Sequence, residues 1–393
     1  MSARPVPLSR RVAWDLAANR LAARLEALRD EGRPLLDLTE TNPTRCGLAW
    51  PAEALAAALA HPALARYEPA PAGAPAARQA VSGYLAGHGA AVPPERVLLT
   101  ASTSEGYALL LKLLCDPGDE VVAPAPSYPL LDLLCDLEGV RLRRYPLRYD
   151  GAWHVDLAAL AAAVGERTRA VVVVSPSNPV GAVLAAEELA ALEALCAERG
   201  LALLGDEVFL DTAGTPASSV ATARRCLAFH LSGLSKVCGL PQLKAAWIAA
   251  AGPEREVARA LARLEVVADT YLSVSGPAQA ALPALLQARE GFLGPLRERL
   301  TVNRAALARA AGDGAPFDAL PGGGGWTAVV RAGEALDEEA IGLELLEEGV
   351  VVQPGFFYDF ERSGYFVVSL LPEPARFARG VAALARRLRA AAG

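Results

Sequence analysis

An α/β fold is predicted, with a large domain built on a seven-stranded, mostly parallel sheet and a smaller α+β domain beside it. Three observations predict it. The chain has 393 residues, 53% of them hydrophobic, which is more than one core usually accommodates. From about Arg96 onward, short β-rich runs alternate with alanine- and leucine-rich stretches of the length a helical crossover needs. That alternation is the pattern of a parallel sheet covered on both faces. The run VVVVSPS is apolar throughout its strand portion, as a strand buried on both faces should be.

The predicted strands of the large sheet are 96–100, 120–124, 140–145, 170–175, 201–206, 226–231 and 245–251, with helices 105–115, 130–137 and 186–198 among the connections. After Pro277 the pattern becomes a long helical tract to about Ala310, expected to break around Pro283 and Pro295 because proline lacks the amide that a helix interior uses. A smaller unit follows, with strand 326–331, helix 337–348, strands 350–353 and 365–370, and a closing helix 373–391. Domain limits are therefore placed at 45–280 for the large domain, with 1–44 and 281–393 forming the small one. PGGGGW at 321–326 and EPAPAGAPAA at 68–77 read as short ordered loops, not linkers.

Composition narrows the function. Acidic residues outnumber basic ones by 44 to 38, a net charge of −6, and no basic stretch is present to follow a phosphate backbone, so nucleic acid is not an expected partner. No apolar run reaches the roughly 20 residues that span a bilayer. MSARPVPLSRR leads into the amphipathic VAWDLAANRLAARLEAL rather than a signal-peptide core, so a cytoplasmic chain is expected. The six cysteines are scattered without a C-x-x-C pair or a nearby histidine, which favours reduced thiols and no metal site.

Only three lysines occur, Lys112, Lys236 and Lys244, among the 38 basic residues. A desolvated lysine can become a neutral nucleophilic amine, whereas arginine stays charged. A lysine placed in a cleft is therefore a nucleophile candidate.

In open α/β sheets, ligands gather outside the carboxyl ends of the strands. Past the first strand comes ASTSEG, with Ser102, Thr103 and Ser104 at a helix start that suits a phosphate. The same residues also suit an ordinary N-cap. Past the second comes PSYP with Tyr128, and past 170–175 comes SNPVG with Asn178. The strand 201–206 ends in Asp206 and Glu207, and the strand 226–231 is followed by SGLSK, ending in Lys236. Each cluster alone is ordinary turn chemistry. Together they match an aromatic, phosphorylated aldehyde cofactor: an amine for its carbonyl, a carboxylate for a ring cation, a stacking ring, an amide for a phenolate and hydroxyls for phosphate.

With these motifs in place, the chain resembles the fold type I pyridoxal-phosphate enzymes, and within them the class I/II aminotransferases. The matching segments are Y-x5-G-x4-R from Tyr67 to Arg78, T-A-S-T-S-E from Thr100, P-S-Y-P from Pro126, S-N-P-V-G from Ser177, D-E-V-F from Asp206, S-G-L-S-K from Ser232 and V-V-V-Q-P-G from Val350. The resemblance implies pyridoxal 5'-phosphate as cofactor. It implies that Lys236 carries the internal aldimine and shuttles a proton, while Asp206 keeps the ring nitrogen protonated. It gives Asn178 the phenolate oxygen, Tyr128 the ring face, and Ser102, Thr103, Ser104, Ser235 and Lys244 the phosphate. Tyr67 resembles a residue that reaches the neighbouring subunit's phosphate, implying a homodimer with shared active sites.

Three positions depart from the family pattern. Lys244 stands where the family usually has an arginine, replacing a bidentate fork by a point charge. Phe209 stands where a tyrosine is common, which removes a second hydrogen bond to the phenolate and should raise the aldimine pKa. Val367 stands where an arginine clamps the substrate α-carboxylate, so bidentate recognition there is absent. Arg45, beside Asn42 in TNPTRCG, is the leading replacement cation; a surface arginine is the alternative. Trp326, Phe356, Phe357 and Tyr358 are candidates for an apolar pocket wall, or for core.

The activity expected is amino transfer between an amino acid or amine donor and a 2-oxo acid by a ping-pong cycle. Alternatives are a β-eliminating lyase or other α-carbon enzyme using the same cofactor, and a non-catalytic pyridoxal-phosphate-binding protein.

Overall fold

A computed structural model describes residues 6–61, 65–214, 217–272, 274–312 and 314–392; the first five residues of the N-terminal segment considered above lie outside them. All seven predicted strands join one sheet, in the spatial order Val97–Thr100, Ala246–Ala251, Ala228–Gly233, Ala202–Asp206, Thr168–Val174, Glu120–Ala125 and Arg141–Tyr149. The pairs from Ala228–Gly233 across to Arg141–Tyr149 are parallel, while Ala246–Ala251 runs antiparallel to both of its neighbours.

An eighth strand, Trp153–Val155, corrects the expected count of seven by pairing antiparallel with the end of Arg141–Tyr149. The reason is local: Asp150-Gly151 makes the return, with Gly151 at φ 112°, a conformation glycine adopts without a Cβ clash. Valines 171–172 of the central strand are fully buried, with helices on both sides of the sheet. Helix Thr103–Leu114 presents Leu109, Leu110 and Leu111 to this core, and Leu189, Leu192 and Cys196 of helix Ala186–Arg199 cover the other face.

The smaller unit carries a four-stranded antiparallel sheet, ordered Asp318–Leu320, Thr327–Arg331, Tyr365–Ser369 and Gln353–Pro354. The single strand expected at 350–353 is split. Val350–Val351 pairs in parallel with Leu36–Asp37, tying the N-terminal segment to this unit, and the chain then crosses so that Gln353–Pro354 pairs with Val367 and Phe366. The helical tract is also broken elsewhere than expected. Pro283 and Pro295 lie inside helices Gly276–Gln287 and Glu290–Ala310, and the break falls at Ala288–Arg289. Burial of Leu282, Leu285, Leu286, Leu293 and Leu296 outweighs the single amide each proline withholds. The stretch 68–77 also departs from a pure loop, because Pro75 opens helix Pro75–Gly87, the helix position where a missing N–H is harmless. No helix among the described residues is long and apolar enough to cross a membrane.

Candidate active site

A cavity of about 350 Å³ lies at the carboxyl ends of the parallel strands. The large sheet contributes Tyr128, Asn178, Asp206, Phe209 and Lys236, and the start of helix Thr103–Leu114 contributes Thr103 and Tyr107. Trp326, Thr327, Gln353 and Tyr358 close it from the smaller unit, Thr39 and Thr41 from the N-terminal segment, and Leu130, Leu131 and Leu134 from helix Leu130–Glu138. The short connections after the strands project these side chains toward one point, as expected of an open α/β sheet.

Lys236 sits in helix Leu234–Val237, directly after the strand Ala228–Gly233. Its Nζ lies 4.7 Å from the ring centre of Trp326 and 5.5 Å from that of Phe209. Those two rings meet edge to face at 5.4 Å. Burial pulls the ammonium below its ordinary pKa, with the Asp206 charge acting in the opposite direction. The amine is thereby brought closer to the neutral form that attacks a carbonyl carbon.

Asp206 ends its strand with a buried carboxyl that burial pushes up to about 6, while the Val208 amide and the Tyr107 hydroxyl pull it down. The Tyr107 hydroxyl donates to Oδ2 at 3.2 Å, and the Val208 N–H approaches Oδ1 at 3.4 Å. The adjacent Glu207 is turned away from the cavity. Its carboxylate accepts from the Val220 amide at 2.6 Å and contacts His230 Nδ1 at 2.9 Å, both side chains being wholly buried. Two neighbouring acids therefore have separate duties: Asp206 faces the ligand space and Glu207 anchors the strand end.

The donor set suits a phosphorylated aromatic aldehyde. The buried Asn178 Oδ1 has no partner among the described residues, and a half-turn of the amide presents N–H at that point. Tyr128 is 50% exposed at the cavity wall, leaving a ring face open for stacking. Ser102 caps helix Thr103–Leu114 by accepting from the Glu105 amide at 3.1 Å, and the first-turn amides of Thr103 and Ser104 make no hydrogen bond among the described residues. Such amides are the usual seat of a phosphate.

The glycine-rich segment holds the opposite wall. Gly181, at φ 71°, packs so closely on it that a Cβ would lie 2.6 Å from the Gly324 carbonyl oxygen. The Gly323 amide donates to Gly181 O at 2.8 Å, and the Gly325 amide to Thr212 Oγ1 at 3.0 Å. These bonds dock the loop on the SNPVG turn and set Trp326 beside Lys236.

Six of the cofactor-site residues singled out from sequence thus line one cavity: Thr103, Tyr128, Asn178, Asp206, Phe209 and Lys236. Ser102, Ser104 and Ser235 are partly buried beside them but do not line it. Lys244 is exposed, with a left-handed backbone at φ 54°. Tyr67 is 79% exposed. Arg45 lies outside the lining, its side chain 74% exposed and paired with Glu40 at 3.5 Å. The Asn42 oxygen is occupied by the Thr44 amide and hydroxyl at 3.1 and 2.7 Å. Of the aromatic candidates, Trp326 and Tyr358 reach the cavity, whereas Phe356 and Phe357 lie outside its lining and meet each other at a tilt of 49°. Sequence reasoning missed Tyr107, Thr39, Thr41 and Gln353. Tyr107 had a usable signal, since it lies one helical turn after Thr103 on the same face.

Residues 35–377 match the family model described as aminotransferase class I and II. The chain belongs to this family. Among its relatives, an alanine aminotransferase of Mycobacterium tuberculosis is 33% identical over 195 residues, covering 48% of this chain and 45% of that protein. The glutamate-pyruvate aminotransferase AlaA of Haemophilus influenzae is 28% identical over 267 residues, 66% of each chain. The match thus spans a little under half the length of the mycobacterial relative. An aspartate aminotransferase structure from Thermus thermophilus superposes with a TM-score of 0.84 at 26% identity, covering 98% of this chain and 100% of that one. The fold is thus shared over 98% of this chain.

Proposed function

We propose that this protein is a pyridoxal-phosphate-dependent aminotransferase that moves an amino group between an amino acid or amine donor and a 2-oxo acid in two half-reactions. The observation that carries the reading is the convergence of Lys236 and Asp206 on one cavity with Asn178, Thr103 and Tyr128. When bound, the cofactor supplies an aldehyde to be joined to an amine and a ring that delocalises negative charge from the substrate α-carbon. The chain's own residues do the rest. Lys236 is the covalent attachment point and then the general base and acid that carries the α-proton. Asp206, ionised at neutral pH, holds a proton on the ring nitrogen by charge pairing. Asn178 binds the phenolate oxygen, Tyr128 stacks on the ring, and Thr103 and Ser104 receive the phosphate, with Ser102, Ser235 and Lys244 around it.

The amino-transferring names of the mycobacterial and Haemophilus relatives support this reaction class. The exposed Tyr67 supports a homodimer in which each copy completes the other's phosphate site, and the separate sheets support two domains, although the limit proposed at residue 280 falls within helix Gly276–Gln287. The test is half-reaction spectroscopy on the purified holoenzyme. An amino acid alone should bleach the yellow cofactor band, and a 2-oxo acid should restore it. Release of pyruvate and ammonia would instead indicate elimination, and no change with any donor would indicate binding without catalysis.

A further inference from the structure

The substrate side of the cavity raises a recognition problem. Among the lining residues only Asp206 and Lys236 carry charge, and both are assigned to the cofactor in the reading above, on which this inference rests. Val367 does not help, because it is 1% exposed in strand Tyr365–Ser369 and packs in an apolar cluster with Val329, Leu320 and Tyr358. Its register partners are Val329 on one side and Gln353 on the other. Directly paired residues share one face of a sheet, so the Gln353 carboxamide stands beside the Val367 side chain, where it lines the cavity.

Most polar groups on this wall are already engaged. The Thr39 hydroxyl donates to Asp37 at 2.6 Å, and the Thr327 hydroxyl donates to Pro179 O at 2.8 Å. The Tyr358 hydroxyl donates to Gln353 Oε1. In this arrangement Oε1 is the engaged end of the amide, and the Gln353 Nε2 makes no hydrogen bond among the described residues. Its two N–H groups are uncommitted donors in a cavity whose lining also includes Leu130, Leu131, Leu134 and Trp326, the Trp326 indole N–H being likewise without a partner among the described residues.

We propose that Gln353, oriented by Tyr358, is the specificity-determining polar contact of the substrate side, donating to a carboxylate or carbonyl oxygen of an amino donor whose side chain is apolar. A neutral amide gives one or two hydrogen bonds without the charge of a guanidinium. It therefore favours a carboxylate by less than an arginine would and tolerates an uncharged acceptor.

The test compares kcat/KM for L-phenylalanine with 2-phenylethylamine, and for L-leucine with 3-methylbutylamine, in the holoenzyme. The affinity of unreactive 3-phenylpropionate is measured by calorimetry alongside. In Gln353→Leu the preference for the acid over its amine should fall roughly 10- to 100-fold, the range associated with a hydrogen bond to a charged group, and 3-phenylpropionate should bind correspondingly more weakly. The loss should appear in KM more than in kcat. Gln353→Glu, which keeps the shape, should favour the amine. Tyr358→Phe should give a smaller loss of the same kind, because the amide remains but is no longer held. 3-Phenylpropanamide that binds the wild type and loses affinity in Gln353→Leu would show that an uncharged carbonyl also serves. An unchanged acid-to-amine ratio in Gln353→Leu, or a collapse of that ratio in Arg45→Leu, would overturn the assignment. A wild type that binds 3-phenylpropionate through Gln353 yet transfers no amino group would overturn the transaminase reading and leave the carboxylate contact standing.

Discussion

The Tyr107 hydroxyl and the Asp206 carboxylate meet at 3.2 Å, joining the first turns of helix Thr103–Leu114 to the end of strand Ala202–Asp206. The bond favours the charged form of Asp206 against burial. Tyr107→Phe should therefore raise the pKa of Asp206 in the cofactor-free protein above its value of about 6. Infrared titration of the carboxyl in the two cofactor-free proteins checks this, and coincident titration curves would show that Tyr107 does not act on Asp206.

Asp206→Asn should retain cofactor but lose most turnover, because an amide does not pair with a protonated ring nitrogen. The same variant makes a prediction about stability without cofactor. A carboxyl whose folded pKa exceeds its unfolded one binds its proton more tightly when folded, so it weakens folding as pH rises from about 4 to about 6, and the penalty persists above that. Cofactor-free Asp206→Asn should therefore be more stable than wild type at pH 8, by on the order of 2 kcal/mol, and the difference should vanish near pH 4. Urea titrations at the two pH values measure it.

Glu207 and His230 form a wholly buried pair, and removing one member leaves the other without its partner. Glu207→Leu should destabilise the protein by roughly 3–5 kcal/mol, since the Val220 amide also loses its acceptor. Chemical denaturation gives the value, and a change under about 1 kcal/mol would show that the pair is dispensable.

Gly181→Ala should destabilise by about 1–3 kcal/mol through its left-handed backbone and the clash with Gly324 O. Turnover should fall as well, because the displaced loop carries Trp326 away from Lys236. Intact kinetics in a destabilised variant would separate the loop's structural role from its place in the site.

Most of the sheet was legible in the sequence, because buried parallel strands such as Val171–Val174 are uniformly apolar and their polar ends mark the ligand face. Lys236 stood out because lysine is rare in this chain. The prolines at 283 and 295 misled, since packing of the leucines around them settled the helix limits. Gln353 was invisible for a related reason. Its importance depends on a strand crossing that pairs it with Val367 and on the Tyr358 hydroxyl that turns its amide, and neither is local in sequence. Arg45 was legible only as a cation in a suggestive loop, and its pairing with Glu40 depends on the fold of that loop.

The most direct measurement of the central claim is peptide mapping after borohydride reduction of the holoenzyme, which makes a covalent cofactor–lysine bond permanent. The account predicts one modified peptide, containing Lys236, and none in Lys236→Ala, whose fold should be intact by circular dichroism. Lys112 is bonded to Glu138 on the surface, so Lys112→Arg should keep both the label and the colour. A label on Lys112 or Lys244, or a yellow and active Lys236→Ala protein, would contradict the account.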